Sequence, residues 1–87
     1  MITLDEAQIY LRRGAVLIDV RERDEFLSGH LNGAINIPLM NILSGVSSYS
    51  KDKCIIVYCQ MGRRSAIAVQ TLRGIGYSNV YDLDVKL

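Results

Sequence analysis

The stretch Lys53-Cys54-Ile55-Ile56-Val57-Tyr58-Cys59-Gln60-Met61-Gly62-Arg63-Arg64-Ser65-Ala66-Ile67-Ala68-Val69-Gln70-Thr71-Leu72-Arg73-Gly74 decides the reading of this chain. Residues 54–58 form an apolar run rich in β-branched and aromatic side chains, of strand length and too short for a helix of its own. Residues 65–73 follow with helical spacing, placing Ala66, Val69 and Leu72, or Ile67 and Leu72, on one side. Cys59 therefore falls at a turn from strand to helix. The first N–H groups of a helix have no partner within it, so such a turn aims donors at whatever lies inside it. Gly62 lets the loop turn tightly, and Arg63 and Arg64 add positive charge. A thiol placed there is expected to ionise more readily than a free cysteine and to act as a nucleophile.

Working outward, the flanks alternate helix and strand signals. Thr3 and Glu6 have capping-box spacing, predicting a helix over residues 4–13 that stops at Gly14. Residues 15–18 (Ala-Val-Leu-Ile) read as a buried strand that ends abruptly at Asp19-Val20-Arg21. A short helix is predicted over 23–28, stopped by Gly29. Residues 34–37 form a third apolar run, closed by the only proline, Pro38. One or two helical turns are expected over 39–46, a loop through the Gly/Ser-rich segment 44–52, and a last short strand over 80–83. Strands separated by helical connections imply an α/β fold with a mostly parallel central sheet and helices on both faces. Ligands bind such sheets beyond the carboxyl ends of the strands, where both Asp19 and Cys59 lie.

Eighty-seven residues, 49% of them hydrophobic, suffice for one domain with a modest core. Ten basic and nine acidic residues are mixed along the chain for a net charge of +1, so no electrostatic footprint for nucleic acid or an anionic membrane is present. No apolar run approaches the roughly 20 residues of a spanning helix. The start, Met1-Ile2-Thr3-Leu4-Asp5-Glu6, has no basic segment followed by an apolar one, and a cytoplasmic protein is expected. Two cysteines separated by a strand cannot pair, and both are expected as reduced thiols. Cys54, placed inside the strand, reads as a buried structural thiol. The single histidine and two separated cysteines are poor material for a metal site, and no Ser, His and Asp constellation competes with Cys59.

Two separated motifs resemble the rhodanese domain. The first runs from Val16 to Pro38 and is similar to that family's D-V-R (Asp19-Val20-Arg21), E-F (Glu25-Phe26), G-H-L (Gly29-His30-Leu31), G-A (Gly33-Ala34) and N-I-P (Asn36-Ile37-Pro38) elements. The second, Cys59-Gln60-Met61-Gly62-Arg63-Arg64-Ser65, resembles its C-x-x-G-x-R-S loop. Gly76-Tyr77 and Asn79-Val80-Tyr81 also resemble the segment before its closing helix. The chain then ends without the family's usual Gly-Gly and tryptophan-containing finish, so the resemblance implies one rhodanese-like domain over 1–87 whose closing segment is missing. It implies the three-layer rhodanese-like α/β fold and a sulfurtransferase. By the same resemblance Cys59 is expected to form a persulfide, the N–H groups of residues 60–65 (Gln60, Met61, Gly62, Arg63, Arg64 and Ser65) to cradle the anion, and Arg64 to help close the loop. The donor it implies is thiosulfate or a persulfide and the acceptor a thiol, also on a protein, or cyanide, in an exchange expected to need neither metal nor organic cofactor.

Gln60 and Met61 stand where thiosulfate-specialised members carry basic residues, which makes the entrance less positive and more apolar and suits a larger thiol carrier. Asp19 and Arg21 are read as an ion pair supporting the neighbouring loop, Arg21 also shaping the pocket's electrostatics. His30 is read as a structural hydrogen-bonding residue, and of Tyr58 and Met61 one is expected in the core and the other at the pocket rim. Two alternatives remain: a rhodanese-like binding module without turnover, and a cysteine phosphatase of the cell-cycle type. The phosphatase loop has one more residue between cysteine and arginine than Cys59-Gln60-Met61-Gly62-Arg63-Arg64, so phosphate is expected to fit poorly.

Overall fold

A computed structural model describes residues 1–87. The Thr3 hydroxyl accepts from the Glu6 N–H and the Glu6 carboxylate accepts from the Thr3 N–H, the reciprocal cap its spacing predicts, and helix α1 (Leu4–Arg12) follows. The chain reverses at Gly14, whose φ of +100° lies in the left-handed region, and enters strand β1 (Val16–Asp19). Helix α2 (Arg23–Leu27), the two-residue strand β2 (Ile35–Asn36), a 3-10 turn (Leu39–Asn41), helix α3 (Ile42–Gly45), strand β3 (Ile55–Tyr58), helix α4 (Arg63–Gly74) and strand β4 (Val80–Asp82) complete the order. The predicted third strand thus shrinks to two residues, because Ile37 leaves the ladder ahead of Pro38, although its N–H still donates to the Asp19 carbonyl.

All four strands are parallel, in the order β2-β1-β3-β4. This is the α/β class read from the alternation of elements, with the rhodanese-like layering of helices on both faces. Period-two alternation along β3 divides the core. Ile55 and Val57 pack with Ile18, Val20, Ile42, Val46, Ala68, Val69, Leu72, Tyr77 and Val80 under α3 and α4. Ile56 and Tyr58 pack with Ile2, Ala7, Leu17 and Leu83 under α1. Fully burying one such aliphatic side chain is worth about 1.5–3 kcal/mol. The Tyr77 hydroxyl shares its one proton between the carbonyls of Val46 at 2.8 Å and Tyr49 at 2.9 Å, tying the chain after α3 to the chain after α4.

Two expectations are corrected. Helix α4 begins at Arg63 and buries Ser65, Ala68, Val69 and Leu72, leaving Ala66 and Ile67 exposed. The apolar count alone favoured Ala66 and Ile67, but the small hydroxyl of Ser65 belongs inside because it faces Cys59. Cys54 does not lie within β3: it precedes the strand and is half-buried, its carbonyl accepting from the Val16 N–H. Cys54 lines a cavity of about 470 Å³ with Tyr10, Arg13 and Lys53.

Candidate functional site

Strand β3 is buried at every residue and delivers Cys59 to the carboxyl edge of the sheet. The chain leaves the strand there because α4 must pack back across the same face. Gly62, with φ +92°, makes the reversal immediately before the helix. The loop closes on its own sulfur. Cys59 Sγ accepts from the Gly62 N–H at 3.1 Å and from the Ser65 N–H at 3.4 Å, and lies 3.4 Å from Ser65 Oγ. Ser65 Oγ is also 3.3 Å from the Gly62 carbonyl, so its one proton can turn either to that oxygen or to an ionised sulfur. The N–H groups of Gln60, Arg63 and Arg64 have no acceptor within the protein, and they belong to the loop and the first turn of a twelve-residue helix.

This geometry determines the thiol's acidity. Burial pushes the Cys59 thiol up, but hydrogen bonds from the Ser65 side chain and from the amides of Ser65, Met61 and Gly62 favour the thiolate, and the net position lies below the ordinary cysteine value. The half-buried Cys54 has only burial acting strongly on it and is pushed up. The two thiols are thus shifted in opposite directions.

Cys59, Gln60, Met61, Arg63 and Arg64 line a pocket of about 150 Å³. Met61 is 80% exposed at its rim while Tyr58 is fully buried beneath, its hydroxyl accepting from the Leu31 N–H. Arg64 does not stand free: its Nη1 and Nη2 donate to Oε1 and Oε2 of Glu25 at 2.6 and 3.0 Å. Glu25 Oε1 also accepts from the Glu22 N–H, and these contacts hold the Glu25 carboxyl at about 2, with the Arg64 guanidinium as the main cause. Sequence reasoning missed this residue. The E-F element contained it, but nothing local distinguishes a glutamate that caps α2 from one that reaches an arginine 39 residues away.

Asp19 and Arg21 lie beside the site rather than in it. Arg21 Nη2 donates to Asp19 Oδ2 at 2.8 Å and to the Gly29 carbonyl at 2.7 Å, its Nε and N–H donate to Oδ1, and both residues are buried. Asn36 Nδ2 donates to the carbonyls of Asp19 and Arg21, so β2 and the Asp19-Val20-Arg21 turn are locked together. The His30 ring stacks on Phe26, and its Nδ1 meets the Phe26 carbonyl at 2.9 Å, a contact that stabilises the end of α2.

A parallel α/β fold with one acidified cysteine in a short loop at a helix N-terminus defines a thiolate-loop protein. Within that class the chain belongs to the rhodanese-like domain family, whose model matches residues 3–85. It is 46% identical over 71 residues to the uncharacterized protein YqhL of Bacillus subtilis (strain 168), a match spanning 82% of this chain and 56% of that protein's length. It is 34% identical over 80 residues to thiosulfate sulfurtransferase GlpE of Pseudomonas fluorescens (strain SBW25), covering 92% of this chain and 73% of GlpE. The human single-domain sulfurtransferase TSTD1 has a similar structure, with a TM-score of 0.85 at 27% identity, covering 100% of this chain and 90% of that one. No helix is long and apolar enough to cross a membrane.

Proposed function

We propose that the protein is a sulfurtransferase that carries a sulfane sulfur on Cys59. The observation that carries this reading is the sulfur of Cys59, set among N–H donors at the base of its own loop. The Cys59 thiolate attacks the outer sulfur of a donor; a new S–S bond forms as the donor's own S–S bond breaks, and sulfite or a thiolate leaves with the electron pair. The terminal sulfur of the persulfide carries negative charge, and the N–H groups of Gln60, Arg63 and Arg64 are the donors available to it. An acceptor thiolate or cyanide then attacks that terminal sulfur and Cys59 departs as thiolate. No net oxidant is consumed. The names of GlpE and TSTD1 support the reaction class. A reducing compartment such as the cytoplasm keeps both free thiols available for it.

The test is the intact mass of the reduced protein after exposure to thiosulfate and, separately, to an alkyl persulfide, with Cys59→Ser as control. The expected result is a gain of one sulfur atom, reversed by a thiol and absent from the control. No gain from either donor would favour a binding module without turnover.

A further inference from the structure

We infer that Glu25 is a positioning residue: by holding Arg64 it removes one positive charge from the Cys59 pocket and tilts donor choice away from dianions toward singly charged organic persulfides. The inference rests on the sulfurtransferase reading and adds a determinant of specificity to it. Two arginines line the pocket, and they are not equivalent. Arg63 is exposed and has no carboxylate partner. Arg64 gives one N–H from each terminal nitrogen to Glu25, a fork-to-fork pair whose dipole is largely spent between the partners. Glu25 is itself held from behind by the Glu22 N–H, so the carboxylate is set before a donor arrives.

The other groups around the pocket do not restore the lost charge. On the α2 side stand Glu22 and Arg21, and Arg21 is already committed to Asp19. On the loop itself Gln60 and the exposed Met61 are uncharged at the entrance. With the thiolate formed, Arg63, the Arg64–Glu25 pair and Cys59 sum to about zero. A dianion entering that pocket meets one unpaired cation, whereas a persulfide monoanion with an alkyl body meets the same cation and the Met61 side chain.

Two readouts test this. The first is the ratio of kcat/KM for thiosulfate to kcat/KM for an alkyl persulfide. In Glu25→Gln, which keeps the shape and the carbonyl for the Glu22 N–H, the ratio is expected to rise about threefold, through KM for thiosulfate, the size expected of one solvent-screened charge. Glu25→Asp, which keeps the charge, stays closer to the parent ratio. In an Arg64→Gln background Glu25→Gln is expected to change the ratio by less than about 1.5-fold, since no freed guanidinium is there to turn its N–H groups to the dianion and only a solvent-screened charge is removed. An unchanged ratio in Glu25→Gln, or an equal rise with Arg64 absent, overturns the inference. The second readout is the pH midpoint of Cys59 alkylation by iodoacetamide, expected to fall by about 0.3–0.5 pH unit in Glu25→Gln. It needs no sulfur donor. If the parent protein takes up no sulfur, the sulfurtransferase reading falls while the alkylation midpoint, measured for Glu25→Gln with and without Arg64→Gln, still decides whether Glu25 acts on Cys59 through Arg64; an unmoved midpoint, or an equal shift with Arg64 absent, overturns that as well.

Discussion

Replacing Arg21 by alanine removes the guanidinium that lies 2.8 Å from Asp19 Oδ2 and leaves a fully buried carboxylate with one backbone donor, its contact to the residue-21 N–H at 2.9 Å. Breaking a buried pair by deleting one partner costs about 3–5 kcal/mol, because the remaining charge is stranded out of water. The Gly29 carbonyl loses its 2.7 Å donor in the same step. A domain of 87 residues has roughly 4–13 kcal/mol of stability in total, so the variant is expected to sit near its unfolding threshold. In urea, with a slope of about 1.5 kcal/mol per molar, the midpoint should fall by about 2–3 M. The double variant Asp19→Asn/Arg21→Met, which strands no charge, should recover most of that loss. If Arg21→Ala keeps its midpoint within about 0.5 M while sulfur loading collapses, Arg21 serves the pocket as a cation and the structural argument is wrong.

Three further outcomes follow from the geometry. Gly62→Ala has room for its methyl group but must hold φ at +92°, a strain of about 1–2 kcal/mol that should lower Tm by about 5–10 °C and misdirect an amide now bonded to the sulfur; an unchanged Tm would show that the loop re-forms without cost. Glu25 is held at about 2 against an ordinary 4.5, so the stability from its pair with Arg64 is complete above pH 4.5 and is lost as pH falls toward 2. With side chains 34% and 28% exposed the pair is worth about 1 kcal/mol at most, and Arg64→Gln should flatten the urea midpoint across that acid window by about that amount. Cys54→Ser places a hydroxyl at a half-buried site and should cost less than about 0.5 kcal/mol, with sulfur loading at Cys59 intact; loss of loading would give the second thiol a role.

Local rules made much of this fold readable. The Thr3/Glu6 cap, the stops at Gly14 and Gly29, and the apolar run leading into Cys59 each follow from a few neighbouring residues, and they suffice to imply a mostly parallel sheet and to put the thiol at its edge, though not to order the strands. The legible part of the site is the part that is contiguous: Cys59, the turn at Gly62 and the helix that follows, which opens at Arg63, two residues earlier than its spacing predicts. Residues joined across the fold were harder. Asp19 and Arg21 are two positions apart, and their pairing was foreseen; Glu25 and Arg64 meet only because α2 and α4 come to the same end of the sheet. Ser65 hid the inward face of α4, since a hydrophobic count assigns a serine to solvent unless its partner is known. Cys54 was misplaced by one residue at a strand boundary, where pairing with β1 rather than side-chain type decides where the ladder begins.

The position of β3 in the strand order has a consequence for motion. Its neighbours β1 and β4 take up its backbone on both sides, so its amides should exchange with deuterated solvent only when the whole molecule opens. Helix α2 buries none of its residues and should exchange through local fraying, well before the core. The sulfur is thus anchored to the slowest-opening part of the chain, while the carboxylate that faces Arg64 sits on a helix expected to open sooner, where the Glu22 N–H and Arg64 hold it whenever that helix is closed.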